Sequence, residues 1–267
     1  MTKNNKPYIM IGTSGYSYTE WADAGFYPKG IKSAHMLAHY ARTFPVTELN
    51  FTWYQMPKAP MLERMRGQVE PGFRFAAKLT RTMTHEVVPG EWQEQAARYR
   101  EGIAPLMQSR QLVAVLVQLA PFFDRSPANR RYLAALMDEL AGLPLAIEFR
   151  HRSWGDGRVF EELSRRKITL VTVDAPDLPN LFPLIDVVTN PDLLYFRFHG
   201  RNLQGWRSGT MQKKFDYSYS DAELDQLGET IGRMTRQARG GVIFFNNHVR
   251  GQAVENGLRL KEKYLTG

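Results

Sequence analysis

Residues 145–154 read LAIEFRHRSW and place charged side chains at the end of an apolar strand. Because side chains alternate between the two faces of a strand, Glu148 and Arg150 share one face and Ile147 lies on the other. A buried charge without a partner costs about 3–5 kcal/mol, so Glu148 and Arg150 are expected to pair, to line a wet cavity or to meet a ligand. The stretch therefore predicts either a structural ion pair beneath a loop or the edge of a functional site.

Apolar strands alternate with segments of helical periodicity along the whole chain. Besides the strand that begins at residue 145, the predicted strands are residues 8–13, 46–51, 73–79, 112–119, 168–176, 193–200 and 241–248. The predicted helices are residues 31–43, 59–66, 91–108, 126–141, 221–239 and 252–265. This alternation favours parallel βα units with right-handed connections. We predict an α/β fold with a single (β/α)8 TIM-type barrel over residues 1–267; an open doubly wound sheet is the alternative, because the segment between strands six and seven is short and proline-rich.

Polar side chains stand near the carboxyl end of every predicted strand. In (β/α)8 barrels the chemistry lies at that end, whereas the opposite end serves stability. We therefore expect these residues to converge. The predicted catalytic residues are Glu48, Lys78, Glu148, Asp174 and His199. The predicted substrate-binding residues are Ser14, Tyr16, Asn50, Gln118, Arg150, His151, Arg197, Asn246 and Asn247.

Each of these residues also has a structural interpretation. Lys78 can be a surface lysine whose aliphatic stem packs on apolar surface. Asp174 can cap the turn that follows its strand. Asn246 and Asn247 are typical turn residues, and Tyr16 belongs to an aromatic loop whose rings can pack on one another.

Composition narrows the classes of chemistry. The chain has no cysteine, which excludes disulfides, iron–sulfur clusters and cysteine nucleophiles. Its formal net charge of +8 favours an anionic partner, whether nucleic acid, a phosphorylated metabolite or an acidic surface. The start of the chain lacks the apolar core of a signal peptide and the longest apolar run is too short to span a bilayer, so we expect a cytoplasmic protein without membrane contact. The sequence makes no prediction of oligomeric state.

Several well-defined catalytic motifs are missing from the sequence. It contains no GxxxxGKS phosphate loop, no GxGxxG after the first strand, no HExxH and no GxSxG. The easily recognised nucleotide, zinc-protease and serine-hydrolase chemistries are therefore not indicated.

Seven motifs, in order along the chain, resemble the YecE-like family, also called the domain-of-unknown-function 72 family. They are GTSGYSYTEW with FYP, ELNFTWY, FRFAAKLTRTMTH, LVQLAPFF, AIEFRHRSW, YFRFHGR and FFNNHVRGQAVENG. The resemblance implies a TIM barrel whose site collects these motif residues. It implies no particular reaction.

The favoured hypothesis is an enzyme that acts on a phosphate-bearing substrate, either a sugar phosphate or nucleic acid. Arg150, Arg197 and Lys78 would bind the anion, Glu48 or Glu148 would act as general acid or base, and His199 would shuttle a proton.

Two alternatives remain open. A non-catalytic nucleic-acid-binding protein would use Trp206 or Tyr16 to stack on bases and a basic rim of Arg81, Arg125, Arg152, Arg201, Arg207, Lys213, Lys214 and Arg250. A metal-dependent enzyme, similar to sugar isomerases or endonuclease IV, would bind a divalent metal through Glu48, Glu148, Asp174 and His199. We expect no cofactor and no tightly bound metal, because the cationic side chains near these carboxylates lower the local affinity for a divalent ion.

Overall fold

Eight parallel strands follow one another around a closed barrel in the order of the sequence. The computed structural model describes residues 7–265. The strands are β1 Tyr8–Ser14, β2 Val46–Leu49, β3 Arg74–Lys78, β4 Leu112–Gln118, β5 Leu145–Glu148, β6 Thr169–Asp174, β7 Leu194–Phe198 and β8 Gly240–Phe245. Pairing of β1 with β8, from Tyr8 opposite Gly240 onward, closes the barrel. The predicted (β/α)8 class is confirmed, and the open sheet is wrong.

Helices surround the barrel and connect successive strands. They are α1 Ser33–Tyr40, α2 Phe51–Tyr54, α3 Ala59–Arg66, α4 Trp92–Gln108, α5 Pro127–Glu139, α6 Gly157–Arg165, α7 Leu203–Arg207, α8 Met211–Lys214, α9 Asp221–Thr235 and α10 Gln252–Leu265. All six predicted helices are present with bounds that differ by a few residues. Helices α2, α6, α7 and α8 were not predicted, because most of them are too short to show a periodic pattern.

The connection between β6 and β7 departs from the repeating pattern. Residues 175–193 contain no helix. Pro176, Pro179, Pro183 and Pro191 lie in this segment. Proline removes a backbone donor and disfavours helical geometry in the residue before it, which accounts for the extended connection.

Local signals account for two of the helix starts. The Ser126 side chain accepts a hydrogen bond from the backbone N–H of Asn129, and Pro127 occupies the first helical position of α5. Helix α9 begins with a full capping box, in which Ser220 and Glu223 each bond the backbone of the other.

The inside of the barrel has its own small apolar core. Its buried members are Met10, Val46, Ala76, Ala114, Leu116, Ala146, Val171, Val173, Tyr195, Val242 and Phe244. A second, larger apolar layer packs between the outer face of the strands and the helices. Since the inner core includes the residues two positions before Glu48, Glu148 and Arg197, these three charged residues form the next layer towards the carboxyl end of the barrel.

Among residues 7–265, no helix is long and apolar enough to cross a membrane. Residues 1–6 and 266–267 lie outside the described part of the chain. For these residues, the expectation that the start of the chain is not a signal peptide and the predicted domain bounds of 1–267 stay predictions.

Two helical glycines provide a matched test of packing between helices and loops. A Cβ at Gly102 of α4 would lie 2.2 Å from the carbonyl oxygen of Pro57, whereas a Cβ at Gly232 of α9 would have no atom within 4 Å. We expect Gly102→Ala to lower the free energy of unfolding by about 1–3 kcal/mol through overpacking. Gly232→Ala should raise it by about 0.5–1 kcal/mol through helix propensity. Urea denaturation of both variants measures the difference, and equal effects would contradict the close approach at Pro57.

Candidate functional site

Arg197 lies at the centre of a buried polar cluster at the carboxyl ends of the strands. Only 1% of its side chain is exposed, and Glu48 and Glu148 are fully buried. One terminal nitrogen, Nη1, donates to Glu148 Oε2 at 2.5 Å and to Gln118 Oε1 at 3.0 Å. The other, Nη2, donates to Glu48 Oε1 at 2.7 Å and to Ser14 Oγ at 3.0 Å. One residue of β7 thus connects side chains from β1, β2, β4 and β5.

Glu48 is bonded through both of its carboxylate oxygens. Besides Arg197, the Ser14 hydroxyl donates to Oε1, and the Tyr195 hydroxyl donates to Oε2 at 2.7 Å. Asn50 extends the cluster towards solvent, because its Nδ2 donates to Ser14 Oγ at 3.3 Å. Glu48 therefore acts as an acceptor for three buried donors.

Glu148 is bonded in the same way. Its Oε1 forms an ion pair with Arg150 Nε and lies 3.4 Å from His199 Nε2, while Arg197 occupies Oε2. Burial alone would raise the pKa of Glu148, but the guanidinium groups of Arg150 and Arg197 keep that pKa well below its ordinary value. Glu148 is therefore an anion with no free oxygen to transfer a proton.

His199 is fully buried, and each of its ring nitrogens lies within hydrogen-bonding distance of a neighbouring side chain. Nε2 lies 3.1 Å from Arg150 Nη2, and Nδ1 lies 2.9 Å from Asn246 Nδ2. Burial, together with the charge of Arg150, lowers the pKa of His199 well below its ordinary value, so the ring is neutral at neutral pH. His199 thus orients Arg150 and has no nitrogen left for a ligand.

A cavity of about 450 Å³ lies directly above this cluster. Among the described residues, the charged side chains that line it are all cationic: Lys78, Arg150, Arg197 and Lys214. Its other lining residues are Tyr18, Asn50, Trp53, Tyr54, His85, Gln118, Pro121, Met211, Phe215, Asn246 and His248. The two carboxylates lie behind the arginines and do not line the cavity.

The two lysines differ from the arginines because no carboxylate forms an ion pair with them. Lys78 Nζ lies 5.0 Å from the ring centroid of Trp53, and Lys214 Nζ lies 3.8 Å from that of Trp206. Neither ammonium group makes a hydrogen bond or ion pair with another described residue. Burial, followed by the charge of Arg197, lowers the pKa of Lys78 to about 7. Burial and Arg150 lower the pKa of Lys214 to about 8.

Comparison with known proteins assigns the family. The chain matches the family described as "Protein of unknown function DUF72" over residues 10–266. The chain belongs to the DUF72 family. The resemblance found in the sequence motifs is thereby confirmed.

Relatives of this DUF72 protein match it over lengths that range from about half of the chain to nearly all of it. UPF0759 protein YunF of Bacillus subtilis is 28% identical over 95% of this chain and 94% of its own. UPF0759 protein YecE of Escherichia coli K12 is 28% identical over 54% of this chain and 48% of its own. A crystal structure of a DUF72 family protein from Thermotoga maritima covers 96% of this chain and 98% of its own, with 34% identity and a TM-score of 0.86. A DUF72 family protein from Enterococcus faecalis superposes with a TM-score of 0.87 at 28% identity, over 97% of this chain and 96% of its own.

Asp174 of the DUF72 chain does not join the cluster around Arg197. Val171 and Val173 occupy the inner face of β6, so Asp174 lies on the outer face. There it accepts hydrogen bonds from Arg201 Nη2 at 2.7 Å and from the Tyr219 hydroxyl at 2.7 Å. The expectation that Asp174 converges with Glu48 and Glu148 is corrected: it anchors the segment after β7.

Three predicted binding residues also lie away from the cavity. His151 Nδ1 lies 2.8 Å from Ser153 Oγ. Asn247 Nδ2 donates to the carbonyl oxygen of Tyr217 at 2.8 Å. The ring of Tyr16 packs 6.1 Å from that of Tyr40, as the structural interpretation of the aromatic loop predicts.

The face of the strand explains two of these placements. His151 follows Arg150 and Asn247 follows Asn246, and adjacent residues of an extended chain point to opposite sides. The predicted residues that do line the cavity are Asn50, Lys78, Gln118, Arg150, Arg197 and Asn246, whereas Ser14, Glu48, Glu148 and His199 lie beneath them.

Other residues of the site were not predicted from the sequence. Tyr195 shares the inner face of β7 with Arg197, so the strand alternation alone could have identified it. Trp53 belongs to the ELNFTWY motif but follows the strand by several residues. Lys214 lies in α8, well after the end of β7, so its position in the sequence does not indicate that it lies near the strand ends. The sequence placed it only in a basic rim.

Glu148→Gln tests the energetics of the cluster. The substitution leaves Arg150 and Arg197 buried without this countercharge, so we expect the free energy of unfolding to fall by about 3–5 kcal/mol at pH 7. Glu162→Gln is the control, because Glu162 pairs with Arg165 and Arg166 on the surface and should cost less than about 1 kcal/mol. Denaturant unfolding of both variants measures the two losses.

The pH dependence of the free energy of unfolding provides a second test of the interaction between Glu148 and the two arginines. A lowered pKa of Glu148 contributes stability that is present above its unfolded-state pKa and is lost as the pH falls below it. The difference between the wild type and Glu148→Gln should therefore shrink in acid. A loss below about 1 kcal/mol at pH 7 would mean that Glu148 is not the countercharge of the two arginines.

Proposed function

We propose that this DUF72 protein is an enzyme that binds a phosphate-bearing small molecule in the cavity at the barrel mouth. One observation carries the proposal: all charged side chains lining the cavity within the described chain are cationic, and the neighbouring carboxylates are already occupied by arginines. A ligand that enters the cavity therefore meets cations and hydrogen-bond donors.

The balance of charge supports an anionic ligand. Arg150 and Arg197 offset Glu48 and Glu148, which leaves the charges of Lys78 and Lys214 uncompensated. Keeping uncompensated ammonium groups in a partly desolvated cavity is unfavourable. The lowered pKa values of Lys78, about 7, and of Lys214, about 8, express this cost. A bound phosphate would remove it.

The contacts suggest a division of roles within the cavity. The Arg150 Cζ atom lies 5.7 Å and the Lys214 Nζ atom 3.8 Å from the ring centroid of Trp206, so these two cations flank one indole and suit a phosphate group. Arg197 adds charge at the floor. The amides of Asn50, Gln118 and Asn246 suit the hydroxyl or carbonyl groups of a small molecule.

Glu48, Glu148 and His199 take a different role from the one the sequence suggested. Their hydrogen-bonding atoms contact Arg150, Arg197 and other buried groups, and none of the three lines the cavity. We assign them as positioning residues that fix the arginines and not as the general acid, general base or proton shuttle.

Ion pairing within the basic rim favours a small ligand over nucleic acid. Four of the eight rim residues proposed from the sequence form ion pairs, with partners Glu86, Asp156, Asp174 and Asp216: they are Arg81, Arg125, Arg201 and Arg250. Paired arginines contribute less to the attraction of a polyanion. A cytoplasmic location fits a phosphorylated metabolite and stays a prediction.

Lys214→Gln tests anion binding without touching the buried ion cluster. We expect the affinity for inorganic phosphate and for sugar phosphates to fall about 10-fold or more, as for loss of one charge-assisted contact. Lys167→Gln removes the same charge from an exposed position just before β6, at the opposite end of the barrel, and should leave affinity unchanged. Isothermal titration calorimetry of the wild type and both variants measures the effect.

The salt dependence of the affinity distinguishes binding of a small phosphate from binding of a polynucleotide in the same experiment. A single phosphate in the cavity should lose little affinity between 50 and 200 mM salt. Binding through six or more phosphates should weaken about 10³-fold over that range. No binding of any phosphate compound, or equal affinity in Lys214→Gln, would refute the proposal, and tight salt-sensitive oligonucleotide binding would replace it with the nucleic-acid alternative.

We propose that the enzyme needs no tightly bound metal. Within residues 7–265, no three His, Asp or Glu side chains gather so as to hold a metal ion. Of the four proposed ligands, Glu48 and Glu148 are bonded to Arg197 and Asp174 to Arg201. We expect elemental analysis of protein purified without chelator to find well below one equivalent of zinc, manganese or iron. A near-stoichiometric metal content would move the proposal towards the metal-dependent alternative.

A further inference from the structure

We propose that Lys78 forms a covalent imine with a carbonyl group of the substrate, which makes the substrate class phosphorylated ketones and aldehydes. This inference rests on the proposed function, because it uses the phosphate group to anchor the substrate. It adds a covalent step and a nucleophile that anion binding alone does not require.

The backbone of Lys78 is fixed at the end of β3. Its carbonyl oxygen accepts hydrogen bonds from Thr52 Oγ1 at 2.6 Å and from the Tyr99 hydroxyl at 3.2 Å. Both donors belong to other elements, α2 and α4, so the strand end is held from two sides. The side chain then extends into the cavity beside the indole of Trp53.

The amine itself has no competing partner. Lys78 Nζ makes no hydrogen bond or ion pair with the described residues, although Glu48 and Glu148 belong to the cluster directly below the cavity. Those carboxylates are occupied by Arg197 and Arg150. An amine that is not engaged in an ion pair is free to approach an electrophile.

The groups that face Lys78 favour its neutral form. Arg197 and Arg150 oppose its positive charge, whereas Glu48 and Glu148 support it, and burial is the largest effect. His85 also faces the cavity, and burial, followed by the charge of Lys78, lowers its pKa to about 4, so it adds no charge at neutral pH. Because its pKa is lowered to about 7, Lys78 carries a neutral amine in a much larger share of the molecules at pH 7 than an ordinary lysine does.

The cavity separates the anchor from the nucleophile. Arg150 and Lys214 lie against Trp206, whereas Lys78 lies against Trp53. A phosphate held by the first pair would bond directly to Arg150 and Lys214, which leaves the Lys78 amine without a direct ion pair. The carbonyl carbon of the same substrate can then lie next to Nζ.

The chemical step needs no further reagent. The lone pair of Nζ attacks the carbonyl carbon, and the π electrons of the C=O bond move to oxygen, which takes a proton released by nitrogen. The nitrogen lone pair of this carbinolamine then forms the C=N bond as the hydroxyl group takes the second proton of the nitrogen and leaves as water. The sum is amine plus carbonyl gives imine plus water, with no change of oxidation state.

Trapping with borohydride tests the imine directly. The full chain is incubated with dihydroxyacetone phosphate or glyceraldehyde 3-phosphate and sodium cyanoborohydride, and the product is analysed by intact mass and peptide mapping. We expect one adduct, equal in mass to the probe minus its carbonyl oxygen, on the peptide that contains Lys78. Labelling at pH 8 should be about 10-fold faster than at pH 6, because deprotonation through a pKa of about 7 exposes the lone pair.

Three controls accompany the trap. Lys78→Arg keeps the positive charge but has no nucleophilic amine, so it should not be labelled. Lys167→Arg, at the opposite end of the barrel, should be labelled like the wild type. Unphosphorylated dihydroxyacetone should label Lys78 at least about 10-fold more slowly, because it lacks the anchor at Arg150 and Lys214.

The outcomes distinguish this inference from the proposed function. If the wild type binds inorganic phosphate but neither probe labels Lys78, the imine is refuted and the anion site stands. Labelling spread over surface lysines, or unchanged in Lys78→Arg, refutes it as well. If the wild type binds no phosphate compound, both proposals fall. A urea unfolding transition like that of the wild type shows that Lys78→Arg is folded.

Discussion

The guanidinium group of Arg197, held between the carboxylates of Glu48 and Glu148, is the interaction on which the upper half of the barrel depends. Each charge alone would be costly in this interior, and each is acceptable only because the others are present. Arg197 makes four hydrogen bonds to side chains from four other strands. Removal of any one partner would leave the others buried without a countercharge or a hydrogen-bond partner. The cluster therefore fixes the geometry of the barrel mouth as one unit.

This arrangement produces layers of different polarity along the barrel axis. The apolar inner core ends at Tyr195, whose ring packs 5.1 Å from that of Phe244 and whose hydroxyl donates to Glu48. The ion cluster follows, and the cationic cavity lies above it. A carboxylate placed one layer deeper than a cation cannot meet a ligand, but it keeps that cation charged and oriented. The acidic residues therefore determine the chemistry of the cavity without lining it.

The sequence predicted the barrel well and the site in part, for a physical reason. Strand alternation and the strand-end rule identified Glu48, Glu148 and Arg197, because each follows an apolar strand with a clear inner face. The rule failed at Asp174 because Val171 and Val173 occupy the inner face of β6, so the polar residue at the end of this strand points outward. It could not place Lys214, because only the tertiary fold brings α8 over the mouth of the barrel.

Arginine and lysine differ in how they respond to this environment, and the site uses both. Burial alone would lower the pKa of Arg197, but Glu148 and Glu48 raise it above its ordinary value, so its charge is permanent. Lys78 lies near the same carboxylates but cannot bond to them, since the arginines already occupy their oxygens, and its pKa falls to about 7. The charges of the arginines are therefore constant, and their electrostatic potential influences the protonation of Lys78. An arginine at position 78 would preserve the charge of the cavity but would remove its one adjustable nucleophile among the described strand-end residues.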